Sequence, residues 1–288
     1  MNLNEKKLCI EGNNHSINAL QSFYKKLGIE KDSFKEICNI PIYLRNIPKE
    51  IIGKYEWDKD CITVSNYALK DILNELESTE ENFENKYLNY IFSISQTLTH
   101  ERLHASRRIS VPKSAITRYD FDLYPEENSP KHLVTCDIYN PTETELDEEI
   151  DIEKRIEQQG ILEESITEAL ALMITFNGIP KFANYTIDEL ADRTIKKCGN
   201  EFVKAGAKIV KKMGTDMIIN FISTRITDNQ EDIFANYFGE VYSDLLSTVE
   251  QIDSTPETNE IAHMSLSDKI DNILEKSNVT SSSKKTSK

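Results

Sequence analysis

The sequence predicts an α+β fold that is mostly helical, with a small antiparallel sheet followed by helices over most of the remaining chain. Two observations carry this expectation. Three short segments rich in aromatic and β-branched residues, Ile42-Tyr43-Leu44, Lys54-Tyr55-Glu56-Trp57 and Cys61-Ile62-Thr63-Val64, lie close together and read as strands. Asp58-Lys59-Asp60 joins the last two as a hairpin turn. Elsewhere apolar residues recur three and four apart, the spacing that lines one face of a helix.

Taken in order, the first helix is expected to have Ser16 as its N-cap, to bury Ile17, Leu20, Phe23 and Leu27, and to stop at Gly28. A second helix should run from Tyr67 to Glu77, and a third from about Phe83 to Arg108. The third carries Tyr87, Leu88, Ile91, Phe92, Ile94 and Leu98 as its apolar set. These elements make up an N-terminal part, residues 1–109. Residues 110–159 form a polar insertion broken by Pro112, Pro125, Pro130 and Pro141. A link this long inside a compact domain is usually functional or disordered, and it could cover a cleft. Its acid-rich end, Glu143 to Glu157, reads as a solvated helix.

Residues 160–252 should form a helical lobe, interrupted at Gly178-Ile179-Pro180. Thr186 and Glu189 have capping-box spacing at a helix start. Further helices are expected over Phe202 to Met213, Met217 to Ile226 and Ile233 to Val249. Residues 253–288 turn polar and read as a largely disordered tail, above all the Ser- and Lys-rich end from Ser277 to Lys288.

Composition bounds the function classes. A chain of 288 residues can bury one sizeable core or two modest ones. A net charge of -15 argues against broad binding to a nucleic-acid backbone. No apolar run approaches the roughly eighteen residues that a membrane helix needs, so no membrane partner is expected. The N-terminus has only the short apolar patch Leu8-Cys9-Ile10, unlike a secretory signal. Cys9, Cys38, Cys61, Cys136 and Cys198 are odd in number and show no metal-ligand or redox spacing. Free, mostly buried thiols in a reducing cytoplasm are the expectation.

Of the five histidines, two fall four apart around a glutamate: His100-Glu101-Arg102-Leu103-His104. Four residues is about one helical turn, so both imidazoles leave one face and can grip a single ion. Glu101 then stands beside the metal, free to act as general base toward water. Arg102 is an unusual neighbour for a divalent cation, tolerable where its long stem carries the guanidinium away.

Catalytic zinc commonly takes three protein ligands and leaves one position open. A metzincin would have its third histidine six residues past His104, but Ser110 stands there, and Arg107 replaces that class's glycine. The segment Gly160-Ile161-Leu162-Glu163-Glu164-Ser165-Ile166-Thr167-Glu168 offers carboxylates instead. Spacing alone allows either Glu163 or Glu164 as ligand. Together with the His100–His104 motif, this segment resembles the second zinc-binding helix of the thermolysin-like and broader gluzincin metallopeptidases.

The resemblance implies a zincin-like fold, zinc as cofactor and a peptide or protein as substrate. It implies Glu164 as the third ligand and Glu168 as the acid behind His100, with Glu163 replacing the family's asparagine. In that family an edge strand pairs with the substrate backbone, and a Tyr or His from the helical lobe often faces the developing oxyanion. Tyr237, Tyr242 and His263, or Tyr119, Tyr124 and His132 in the insertion, are candidates here. The likeness rests on two short motifs. The expected function is a zinc-dependent metallopeptidase. The alternative is a non-catalytic interaction module on the same scaffold, which has no need of Glu101.

Overall fold

The computed structural model describes residues 4–29, 35–56, 59–78, 83–106, 143–223, 230–256 and 258–277. Among these residues it is a mostly helical α+β fold with one three-stranded sheet. Helix α1 spans Glu5–Lys26, capped by the Asn4 side chain, which accepts from the Lys7 N–H at 2.9 Å. Ser16 is therefore not an N-cap. It lies mid-helix and fully buried, because α4 (below) supplies its hydroxyl with partners. The helix ends as expected: Gly28 has φ 77°, and the Ile29 and Gly28 N–H groups return to Tyr24 and Lys25 carbonyls.

After the short α2 (Lys35–Cys38), the strands are β1 (Ile42–Arg45), β2 (Gly53–Glu56) and β3 (Cys61–Ser65). Their spatial order is β1-β3-β2. β2 and β3 form the expected antiparallel hairpin, Glu56 opposite Cys61, but β1 runs parallel to β3. The sheet is thus mixed, not antiparallel. The physical reason lies at the edges. All five β3 residues are buried, so it takes a neighbour on each side, while the outer edge of β2 is met by Glu101 of α4 (below). β1 has only the far side of β3 left to pair with.

Ser65 caps α3 (Asn66–Glu77), and α4 runs Phe83–Ser106. Arg107 and Arg108 lie outside the described residues, as do residues 110–142 with Tyr119, Tyr124, His132 and Cys136. α5 spans Glu143–Asn177 as one helix, so it runs straight through the boundary expected at 159/160. A 3₁₀ turn at Pro180–Phe182 leads to α6 (Ile187–Lys197), whose Thr186–Glu189 capping box is formed in both directions. α7 (Glu201–Ser223) bends at Gly214, where φ is 69°. α8 (Gln230–Phe238), α9 (Tyr242–Ser254) and α10 (Glu260–Lys276) complete the lobe. The expected polar tail therefore includes an ordered helix: α10 buries Ile270, Ile273 and Leu274, spaced three and four apart on one face.

Two apolar cores result, and α4 is the wall between them. Ile91, Ile94, Leu98 and Ala105 pack with the sheet and α3, while Leu103 joins the larger core of the helical lobe. Cys9, Cys38, Cys61 and Cys198 are free thiols. No helix among the described residues is long and apolar enough to cross a membrane.

Candidate metal centre

The last two turns of α4 project His100 and His104 toward α5. Their Nε2 atoms lie 2.8 Å apart. Glu164 on α5 reaches both, with Oε1 3.1 Å from His100 Nε2 and Oε2 3.2 Å from His104 Nε2. Among the described residues, these three form the group whose potential ligand atoms all lie within 4.8 Å of one another. A tetrahedral zinc with bonds of ~2.0–2.1 Å sets its ligand atoms about 3.3 Å apart. The donors therefore need to spread by only a few tenths of an ångström to receive the ion. Two imidazoles and a carboxylate are also the donor set that a hydrolytic zinc takes, so the residues present fit the group.

Glu168, one turn beyond Glu164, places Oε1 3.7 Å from His100 Nδ1. That is the expected side of the ring, yet too long for a hydrogen bond, and His100 Nδ1 is buried without a hydrogen-bond partner. A small inward shift of Glu168 would supply it and fix the imidazole's orientation.

Glu101 points elsewhere, toward the sheet. In the β2–β3 hairpin the Ile52 carbonyl accepts from the Ser65 N–H, so the backbone of Gly53 and Tyr55 faces away from β3. The Tyr55 N–H donates to Glu101 Oε2 at 2.7 Å. At Gly53 the helix comes so near that a Cβ would lie 3.0 Å from Thr97 Cγ2. Sequence reasoning missed this anchor because a backbone N–H carries no side-chain signature. It also left open which strand borders the site: it is β2.

The electrostatics follow from the packing. Burial disfavours a charged His100, but the hydrogen bond and negative charge of Glu164 win and raise its pKa to about 9. Burial would raise Glu164, yet its bonds to His100 and His104 hold it far below the ordinary carboxylate range. Glu101 is pushed upward by burial, with His100, His104 and the Tyr55 N–H opposing. Asp253 at the end of α9 is raised by burial and by Glu164, which brings a further carboxylate into the field of the site. Nothing in the sequence linked Asp253 to residues so distant along the chain.

Arg102 turns its head away from the imidazoles. Its guanidinium is fully buried and donates to Asn13 Oδ1, to Ser16 Oγ at 3.1 Å and to the Leu98 carbonyl at 3.3 Å. Burial lowers its pKa to about 10, so it stays cationic at neutral pH. Of the oxyanion candidates, the Tyr237 hydroxyl is committed to the Lys212 and Met213 carbonyls at the bend of α7. Tyr242 packs in the core of the lobe, and His263 is buried on α10. Comparison with known proteins gives no match: no family model, no curated protein and no solved structure aligns significantly with this chain.

Proposed function

We propose that this protein is a zinc-dependent peptidase of gluzincin type, with His100, His104 and Glu164 holding the metal and Glu101 as general base. The observation that carries the reading is the convergence of three donors from two helices, with a buried carboxylate next to them in the chain that belongs to no ligand set. Zinc held there supplies Lewis acidity, acidifying water and polarising a carbonyl. Glu101 takes the proton of the attacking water and can pass it to the leaving amine; burial makes it a stronger base than an exposed glutamate. Glu168, 3.7 Å from His100 Nδ1, would hold the ring in the orientation that presents Nε2 once drawn in to hydrogen-bond distance. The outer edge of β2 borders the site, and there the Tyr55 N–H holds the Glu101 carboxylate in place.

Glu101→Gln tests the chemistry. The variant keeps the volume and the Tyr55 contact but loses the base, so zinc should remain bound while peptide hydrolysis falls by about 10²–10⁴-fold. Cleavage across a proteome-derived peptide library, read by mass spectrometry, is the measurement. Equal behaviour of wild type and variant, with zinc in both, would replace the peptidase by a binding module.

A further inference from the structure

The last two turns of α4 pose a problem that apolar packing does not solve. Residues from Leu98 to Leu103 are all buried, and so is Ala105. A helix buried on every side has no amphipathic stripe to fix its rotation. Rotation matters here. An imidazole nitrogen stands some 6–7 Å from the helix axis, so a turn of about 10° sweeps it by roughly 1 Å. A functional constellation tolerates only about 0.5 Å.

Polar bonds to α1 supply what packing lacks. Ser95 Oγ meets His15 Nδ1 at 2.9 Å, Thr99 Oγ1 meets Ser16 Oγ at 2.8 Å, and Arg102 bonds Asn13 and Ser16. Ser95, Thr99 and Arg102 follow at intervals of four and three, so they form one stripe. At about 100° per residue, that stripe lies roughly 150° round the helix from His100 and His104. Gly12 lets the helices close: a Cβ there would sit 2.5 Å from Ile94 Cγ2. Among the described residues Arg102 makes no ion pair, and its Nε is buried without a hydrogen-bond partner. An apolar side chain would fill the space without desolvating a cation. What it would lose is direction.

We propose that this buried polar ladder between α1 and α4 sets the rotation of the metal helix, with Arg102 as the positioning residue that aims His100, Glu101 and His104. The inference rests on the metal reading above and adds to it residues that touch neither ion nor substrate. Ser16, three helices before the motif in sequence, becomes part of the site's support. So does the arginine inside the motif, which the family resemblance does not explain.

The experiment uses the full chain and three variants: Arg102→Met, Ser16→Ala, and Ile270→Ala in α10 as a core control away from the ladder. Zinc affinity is measured by chelator competition, and the imidazole NMR signals of His100 and His104 are followed in the metal-free protein. Arg102→Met should weaken zinc binding by about 10-fold or more, the range seen when support of a ligand is lost. Ser16→Ala should weaken it by a smaller factor, and both should shift the two imidazole signals. Ile270→Ala should lose stability and keep its zinc affinity. Should Arg102→Met fail to fold, Ser16→Ala carries the test. Wild-type zinc affinity and unmoved imidazole signals in the ladder variants would overturn the proposal. A wild type that binds no zinc would end the metal reading. The imidazole signals would then decide the ladder by themselves: shifted they support it, unshifted they overturn it.

Discussion

Gly206→Ala separates local helix preference from tertiary packing, because the two predict opposite signs. Gly206 lies inside α7, where alanine is favoured over glycine by about 0.8–1.0 kcal/mol. A Cβ at this position, however, would lie 2.5 Å from the carbonyl carbon of Ser165 on α5 and closer still to its oxygen, whereas ordinary contact begins at 3.4 Å. The two helices must separate by about 1 Å. The opposing atoms are backbone, which cannot swing aside as a side chain can. Overpacking of this kind typically costs 1–3 kcal/mol, and separation also strains the Ser165 hydroxyl bond to the Phe202 carbonyl, 2.7 Å long. The net expectation is a loss of up to about 2 kcal/mol, with Glu164, the neighbour of Ser165, displaced along with the backbone. Urea unfolding of metal-free protein, followed by circular dichroism, measures the change. A stability gain approaching the about 0.8–1.0 kcal/mol of helix preference would refute the close α5–α7 packing.

Glu168→Ala should weaken zinc binding by about 10–100-fold without unfolding the protein; chelator competition gives the number, and wild-type affinity would remove Glu168 from the site. The pH dependence should reverse with metal. In metal-free protein His100 has a pKa raised from 6.5 to about 9, so its contribution to stability is full below about pH 6.5 and fades as pH rises through about 9. Zinc requires the neutral imidazole, so zinc affinity should climb over that same interval, with protons released on binding. Unfolding curves with and without zinc from pH 6.5 to 9.5 test both halves, and a flat zinc affinity would contradict them.

How much of this could be read in the sequence depended on how local the determinant was. The helical placement of His100, Glu101 and His104 was legible because one turn contains the whole motif. Glu164 and Glu168 were legible only through spacing familiar from zinc peptidases, and Glu164 is favoured over Glu163 by that likeness, by its i, i+4 relation to Glu168 and by leaving Leu162, Ile166 and Ala169 for packing. Ser16 was misjudged because a serine in a helix suggests a cap unless its distant partners, Thr99 and Arg102, are known. Arg102 and Ser95 likewise give Asn13 and His15 partners within α1, while Asn14 faces solvent. Strand order was beyond reach as well: pairing depends on Glu101 closing the outer edge of β2, a contact across 46 positions. In α10 the polar composition hid a narrow apolar face, which periodicity within a shorter window would have exposed.

The central claim is that His100, His104 and Glu164 form one zinc site. Elemental analysis of purified wild type and His104→Ala tests it most directly. About one zinc per chain is expected in the wild type, and most of it should be lost in the variant, since only two of the usual three protein ligands remain. Equal zinc in both proteins, or none in the wild type after reconstitution, would contradict the account.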